Sequence, residues 1–148
     1  MEYFRLNAGF DIPAVGTGTN TFGREASDFK SAYVGDFAPL FSAVEAGYRL
    51  FDCAKSYGNE EGMGEALRKS GLRRSDYFIV NKIPNRAGIF KDAASVRESV
   101  EGSLKAMQTD YFDIYMIHQP VSYDDQAKGL PMDGEKDPDG LERDGGSV

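Results

Sequence analysis

A chain of 148 residues is of single-domain size, and such a chain buries roughly 68–70% of the surface its unfolded form exposes. Its formal charge of −7 is uneven: residues 1–120 carry 16 acidic and 14 basic side chains, residues 121–148 carry 8 and 3. No basic stripe offers counter-charges to a phosphate backbone, so no nucleic-acid partner is expected, and the net anionic surface disfavours anionic membranes.

Strand and helix signals then alternate along the chain. Residues 3–15, YFRLN-AG-FDIPAV, read as a β-hairpin with Asn7, Ala8 and Gly9 at the turn and Pro13 in the return segment. Residues 15–19 enter a Gly/Thr-rich loop. Phe37, Leu40, Phe41 and Val44 recur at helical spacing, and Gly47 closes that helix. YRLFD, 48–52, is the next strand; 60–70 is a short helix stopped by Gly71; YFIVN, 77–81, is a compact strand. The following helix takes Asp92 or Ser95 as its cap, since Ser95 with Glu98 fits a capping box, and its apolar face carries Val96, Val100, Leu104 and Met107. Residues 112–117 form a nearly continuous apolar strand of the kind covered on both faces. After Pro120 the chain is acidic and rich in Gly and Pro at turn positions, so 121–148 reads as a loop or disordered tail.

Strand ends fall near Thr19, Asp52, Lys82 and His118, separated by 33, 30 and 36 residues. A (β/α)8 barrel of about 250 residues gives roughly 31 to each unit, so residues 1–120 read as a leading hairpin and four parallel strands at barrel pitch, the hairpin plugging the barrel's bottom. The expected fold is half of a (β/α)8 TIM barrel, with the last helix absent. No G-x-G-x-x-G or Walker loop is present, which removes the Rossmann and P-loop readings.

In parallel α/β folds, functional groups gather at the carboxyl ends of strands. Asp52, Lys82 and His118 lie there, with Tyr57 five residues into a following loop. A tyrosine with its reference pKa near ~10 is a poor acid at pH 7. A cation about 4 Å away, at an effective dielectric near 20, interacts with a phenolate by roughly 4 kcal/mol, enough to make the phenol a useful proton donor. Lys82 could supply that charge, Asp52 could hold Lys82 protonated, and His118 could orient a carbonyl oxygen. Singly, each residue has a plainer reading: a helix-capping Asp, a partly buried Tyr, a solvated Lys and a core His. Spacing alone leaves both readings open.

The local words favour one of them. AGYRLFDCAKSYGNE, FIVNK, SVRESVEGSLKAMQTDYFDIYMIHQP and the opening GFDIPAVGTGTNTFG resemble, in order and over residues 1–120, the signature segments of the aldo-keto reductase family. The resemblance implies reduction of aldehydes or ketones to alcohols, with Tyr57 as general acid, Asp52 and Lys82 tuning it, and His118 positioning a small carbonyl substrate. It implies NADPH as hydride source, with Gly18, Thr19, Asn20 and Asp52 beside the nicotinamide ribose, and no metal. Three positions depart from the family pattern: Asn20 stands where an aromatic is frequent, Gln119 where tryptophan is usual, and Cys53 where threonine is common. Cys53 is expected to be a small buried residue.

The largest departure is length, since the family's second half carries most cofactor contacts. The chain is therefore expected to be a truncated product or fragment whose own activity is weak or absent. Two alternatives stand beside this: a non-catalytic half-barrel that self-associates or binds a partner protein, and a complete four-stranded α/β domain with a flattened sheet. The last is decided by strand order, because a barrel segment runs 1-2-3-4 with its helices on one face. A single cysteine, no signal-peptide pattern and no apolar run near ~20 residues point to a cytoplasmic protein.

Overall fold

The computed structural model describes residues 2–84, 89 and 92–119. The acidic segment 121–148 lies outside the described residues. Strands β1 (Tyr3–Arg5) and β2 (Asp11–Pro13) form the antiparallel hairpin, and Gly9 (φ +87°) supplies the left-handed residue its turn requires. Tyr3 and Phe4 are 52% and 62% exposed and Pro13 is buried. Among the described residues the hairpin therefore covers little apolar surface.

The second sheet contains β3 (Thr17–Gly18), β4 (Leu50–Asp52), β5 (Phe78–Ile83) and β6 (Ile114–Ile117), all parallel and in sequential order. Sequential order with right-handed crossovers puts every connecting helix on the same side. Burial agrees. Phe51, Cys53 and Ile79 share one core with Leu40, Met63, Ala66, Leu67 and Met107 from the helices. The alternate residues Leu50, Asp52, Phe78, Val80, Lys82, Ile114 and Met116 fall on the opposite face of the pleat. This is the layout of a barrel segment, and the flattened two-faced domain loses.

Helix α1 (Ala38–Glu45) begins where the Asp36 carboxylate accepts the Ala38 N–H, and it ends at Gly47 (φ +94°). Leu40 is fully buried, whereas Phe41 sits on the outer rim at 36% exposed. Helix α2 (Glu60–Lys69) has Glu60 and Glu61 in its first turn and Arg68 and Lys69 in its last, matching the helix dipole at both ends. Helix α3 (Ala93–Met107) is capped by Asp92, whose carboxylate accepts from the Ser95 N–H and Oγ at 2.8 Å each. Of the two cap candidates, Asp92 therefore holds the position.

The seam of α3 differs from the apolar stripe expected of it. Ser99, Ser103 and Met107 are the buried residues, while Val96, Val100 and Leu104 lie half-buried beside them. Small residues let α3 approach α2 closely: a Cβ placed on Gly64 of α2 would lie 2.2 Å from the Met107 carbonyl oxygen. The last strand also differs. Met116 and Ile117 are 42% and 56% exposed, because β6 is the sheet's edge and no helix follows it among the described residues.

Gly→Ala inside a helix ordinarily gains up to about 1 kcal/mol. At Gly64 the contact is to backbone and cannot yield, so Gly64→Ala is expected to destabilise by roughly 1–3 kcal/mol. Gly102 in α3 is exposed, and its Cβ would meet only the Lys55 Nζ at 3.4 Å, so Gly102→Ala should be neutral or stabilising. Urea melts of the two variants check this; equal stabilisation of both would refute the close helix approach.

Candidate active site

The carboxyl ends of β4 and β5 meet a one-turn 3-10 helix at Lys55–Tyr57. Three contacts fix that turn. Gly58 follows it in the left-handed region (φ +68°), the Lys55 Nζ donates to the Ser99 carbonyl (3.0 Å) and Oγ (3.1 Å), and Arg24 donates to the Tyr57 carbonyl at 3.1 Å. Arg24 is itself held over the rings of Phe29 and Tyr33, and Phe29 meets Tyr57 edge-on at 6.3 Å. Tyr57 thus reaches the strand ends on a pinned backbone.

Lys82 lies at the centre. Its Nζ donates to Asp52 Oδ1 at 2.5 Å, to the Cys53 carbonyl at 2.8 Å and to the Tyr57 hydroxyl at 3.4 Å. Three donors with three acceptors saturate an ammonium group. The lysine side chain is 11% exposed, while that of Asp52 is 43% exposed, so one end of the pair is sheltered and the other is open. Parallel pairing explains the meeting: Asp52 pairs with Val80, and Lys82, two residues further on, projects from the same face.

His118 follows β6, its N–H donating to the Ile83 carbonyl. Its ring stands edge-on to Tyr57, 5.7 Å between centroids at 83°. Burial, and then the neighbouring Lys82 charge, hold its pKa below the ordinary 6.5, partly countered by Asp52. Its Nδ1 lies 3.0 Å from Ser56 Oγ. Asp52, Tyr57, Lys82 and His118, drawn from four separate segments, therefore converge.

Gly18 and Asn20 are exposed at the end of β3. Thr19 between them is fully buried, with its hydroxyl donated to the Asp52 carbonyl at 3.0 Å. Its side chain faces the core and ties β3 to β4. Asn59 is likewise buried and donates to the Thr19 and Phe22 carbonyls, locking the loop after β3 onto the start of α2. Cys53 is buried, and burial pushes its thiol up to about 12, which leaves it without nucleophilic character. Ser56, Arg24 and Asn59 were not singled out by sequence reasoning. Asn59 lies within the Tyr-Gly-Asn-Glu word, but nothing local in the sequence points to the other two.

A family model described as the aldo/keto reductase family matches residues 14–136. The chain is 37% identical over 145 residues to an NAD(P)H-dependent D-xylose reductase of Pachysolen tannophilus, covering 95% of this chain and 40% of that protein. It is 35% identical over 130 residues to a methylglyoxal reductase of Salmonella typhimurium, covering 85% and 42%. Among solved structures, the aldose reductase of Schistosoma japonicum superposes with a TM-score of 0.67 at 35% identity, covering 95% of this chain and 42% of that one. The chain thus spans about two-fifths of the length of the relatives it matches. A sequential parallel sheet with its helices on one face, a lysine-centred cluster at the strand ends and a family match over residues 14–136 agree: the chain belongs to the aldo/keto reductase family.

Proposed function

We propose that this chain carries the proton-donating side of a carbonyl-reducing site, with Tyr57 as general acid toward the oxygen of a small aldehyde, ketone or open-chain sugar. The observation that carries the reading is Lys82, whose ammonium bonds the Tyr57 hydroxyl and the Asp52 carboxylate at once. As the phenol gives up its proton, negative charge builds on an oxygen that already faces a cation. Opposite charges about 4 Å apart at an effective dielectric near 20 attract by roughly 4 kcal/mol. Asp52 keeps the lysine charged and aimed. His118, neutral at physiological pH, offers a ring N–H that can hold the carbonyl oxygen beside the phenol.

NADPH fits the open side of the cluster, where it would supply hydride to the carbonyl carbon. Gly18 has open space around its Cα, Asn20 is exposed, and the Asp52 carboxylate is 43% exposed, so its side free of Lys82 can accept a ribose hydroxyl. Thr19 holds that loop from beneath rather than lining it. The substrates for which these relatives are named, D-xylose and methylglyoxal, share a reducible carbonyl and form the panel to assay.

A second reading is favoured by the exposure of Met116 and Ile117 on the edge strand: the half-barrel associates with another copy or a partner protein through this edge and the inner face. Light scattering at micromolar concentration tests it, and a stable monomer would count against it.

Whatever NADPH-dependent turnover of this panel the chain shows is expected to fall about 10²- to 10⁴-fold, to background where the starting activity is weak, in Tyr57→Phe. Unchanged turnover would put the proton donor elsewhere. The role of His118 as a neutral donor is open to direct titration, since it is the sole histidine. Its NMR midpoint should lie below 6.5 and move up in Lys82→Met, where the nearby cation is gone. A lowered midpoint means the unfolded chain binds this proton more readily. Stability therefore rises with pH between the folded midpoint and about 6.5, and is lost as pH falls through that window. A midpoint at or above 6.5 would contradict the burial described.

A further inference from the structure

We propose that Ser56 is a positioning residue that selects the His118 tautomer with its proton on Nε2. The proposal rests on the carbonyl-reducing reading of the site, because its consequence is which ring atom faces the substrate oxygen. A neutral imidazole carries one N–H donor and one lone-pair acceptor, and the partner of one nitrogen decides the state of the other. The Ser56 Oγ, 3.0 Å from Nδ1, is the only hydrogen-bond partner of the ring among the described residues.

The direction of that bond follows from what else Ser56 can reach. Among the described residues its hydroxyl has no other hydrogen-bond partner. If Nδ1 held the proton, the serine oxygen would accept it, and the hydroxyl hydrogen would have no protein acceptor among the described residues. If the hydroxyl donates to the Nδ1 lone pair, the hydroxyl hydrogen and Nδ1 are both paired, the imidazole proton resides on Nε2, and the one donor left over is Nε2–H. Nε2–H then stays free to donate to a carbonyl oxygen. The opposite tautomer would turn a lone pair toward that oxygen and repel it.

Placement strengthens the case. Ser56 and Tyr57 are consecutive residues of one 3-10 turn, and that turn is pinned by Lys55 on Ser99, by Arg24 on the Tyr57 carbonyl and by Gly58. A single rigid turn thus carries the proposed acid and the group that sets the second donor. Ser56 is 62 residues from His118 in sequence, so the pair is visible only in the fold. The low pKa of His118, set first by burial and then by Lys82, keeps the ring in the neutral form for which tautomer choice has meaning.

The test uses the whole chain, whose one histidine gives a single set of imidazole nitrogen resonances. Two-bond ¹⁵N–¹H spectra above the His118 midpoint distinguish the tautomers directly. The unaltered chain and Ser56→Thr, which keeps the hydroxyl, should show Nε2–H. Ser56→Val has the shape of threonine without the hydroxyl, and in it the Nδ1–H share should rise roughly three- to tenfold, the range one neutral hydrogen bond spans. Should the valine variant not fold, Ser56→Ala carries the same comparison. A proton on Nδ1 in the unaltered chain, or identical nitrogen shifts in Ser56→Thr and the hydroxyl-free variant, would overturn the proposal. No cofactor or carbonyl enters this measurement, so its failure is separate from failure of the reductase reading, which turns on Tyr57→Phe.

Discussion

The arrangement depends on where one ammonium group can sit. Lys82 is sheltered along most of its side chain, and a buried lysine is stable only if its three donors find acceptors. A carboxylate on β4, a carbonyl just beyond it and a phenol on the following turn supply them. Two acceptors belong to consecutive residues at the end of β4 and the third to the following turn, so satisfying one charge on β5 sets the spacing of β4, β5 and the Lys55–Tyr57 turn together. The electrostatic requirement of folding and the geometric requirement of proton donation are met by the same contacts.

The opposite ends of the strands are organised by a second cation with a different outcome. Arg74, just before β5, donates to Thr109 Oγ1, to the Tyr77 and Tyr111 carbonyls and to the Asp113 carboxylate, and its guanidinium stacks 3.8 Å over the Tyr111 ring. Asp113 also accepts the Ile79 N–H, closing the start of the β5–β6 pair. Four hydrogen bonds and a stacked ring hold this guanidinium, and its partner Asp113 is 15% exposed against 43% for Asp52. Around Lys82 one side is left open through Asp52. Closed polar work at the amino ends and open polar work at the carboxyl ends is the division this fold class favours.

Much of this was legible in the sequence because it rests on local chemistry. Gly9, Gly47, Gly58 and Gly71 all take positive φ, where a side chain would be strained, so the turns announce themselves. Asp92 caps α3 because a short carboxylate reaches the N–H three residues on. The strand pitch placed Asp52, Lys82 and His118 at neighbouring strand ends, and the motif words drew Tyr57 to them. Hidden features are those set by long-range packing. Apolar periodicity pointed to Val96, Val100 and Leu104, whereas the tight α2–α3 approach at Gly64 buries Ser99 and Ser103 instead. Helix α3 ends on Gln108 in the left-handed region (φ 53°), a position where sequence rules look for glycine or asparagine. Arg24 and Ser56 contact residues 33 and 62 positions away, and no short-range pattern carries that information.

The serine seam also connects packing to the site. Ser99 presents a carbonyl and a hydroxyl toward Lys55, and a valine there would remove one of the two bonds that hold that lysine. Lys55 begins the turn that ends in Tyr57, and its tie to α3 is one of the contacts that keep the phenol within reach of Lys82. A purely apolar α3 face would bury more hydrocarbon, by about 25 cal/mol for each Å² gained. It would also loosen the turn's tie to that helix, leaving only the bond to the backbone carbonyl. Ser99 is thus explained by what it positions: the α3 face gives up some hydrophobic burial there to hold the turn carrying Ser56 and Tyr57 at the strand ends.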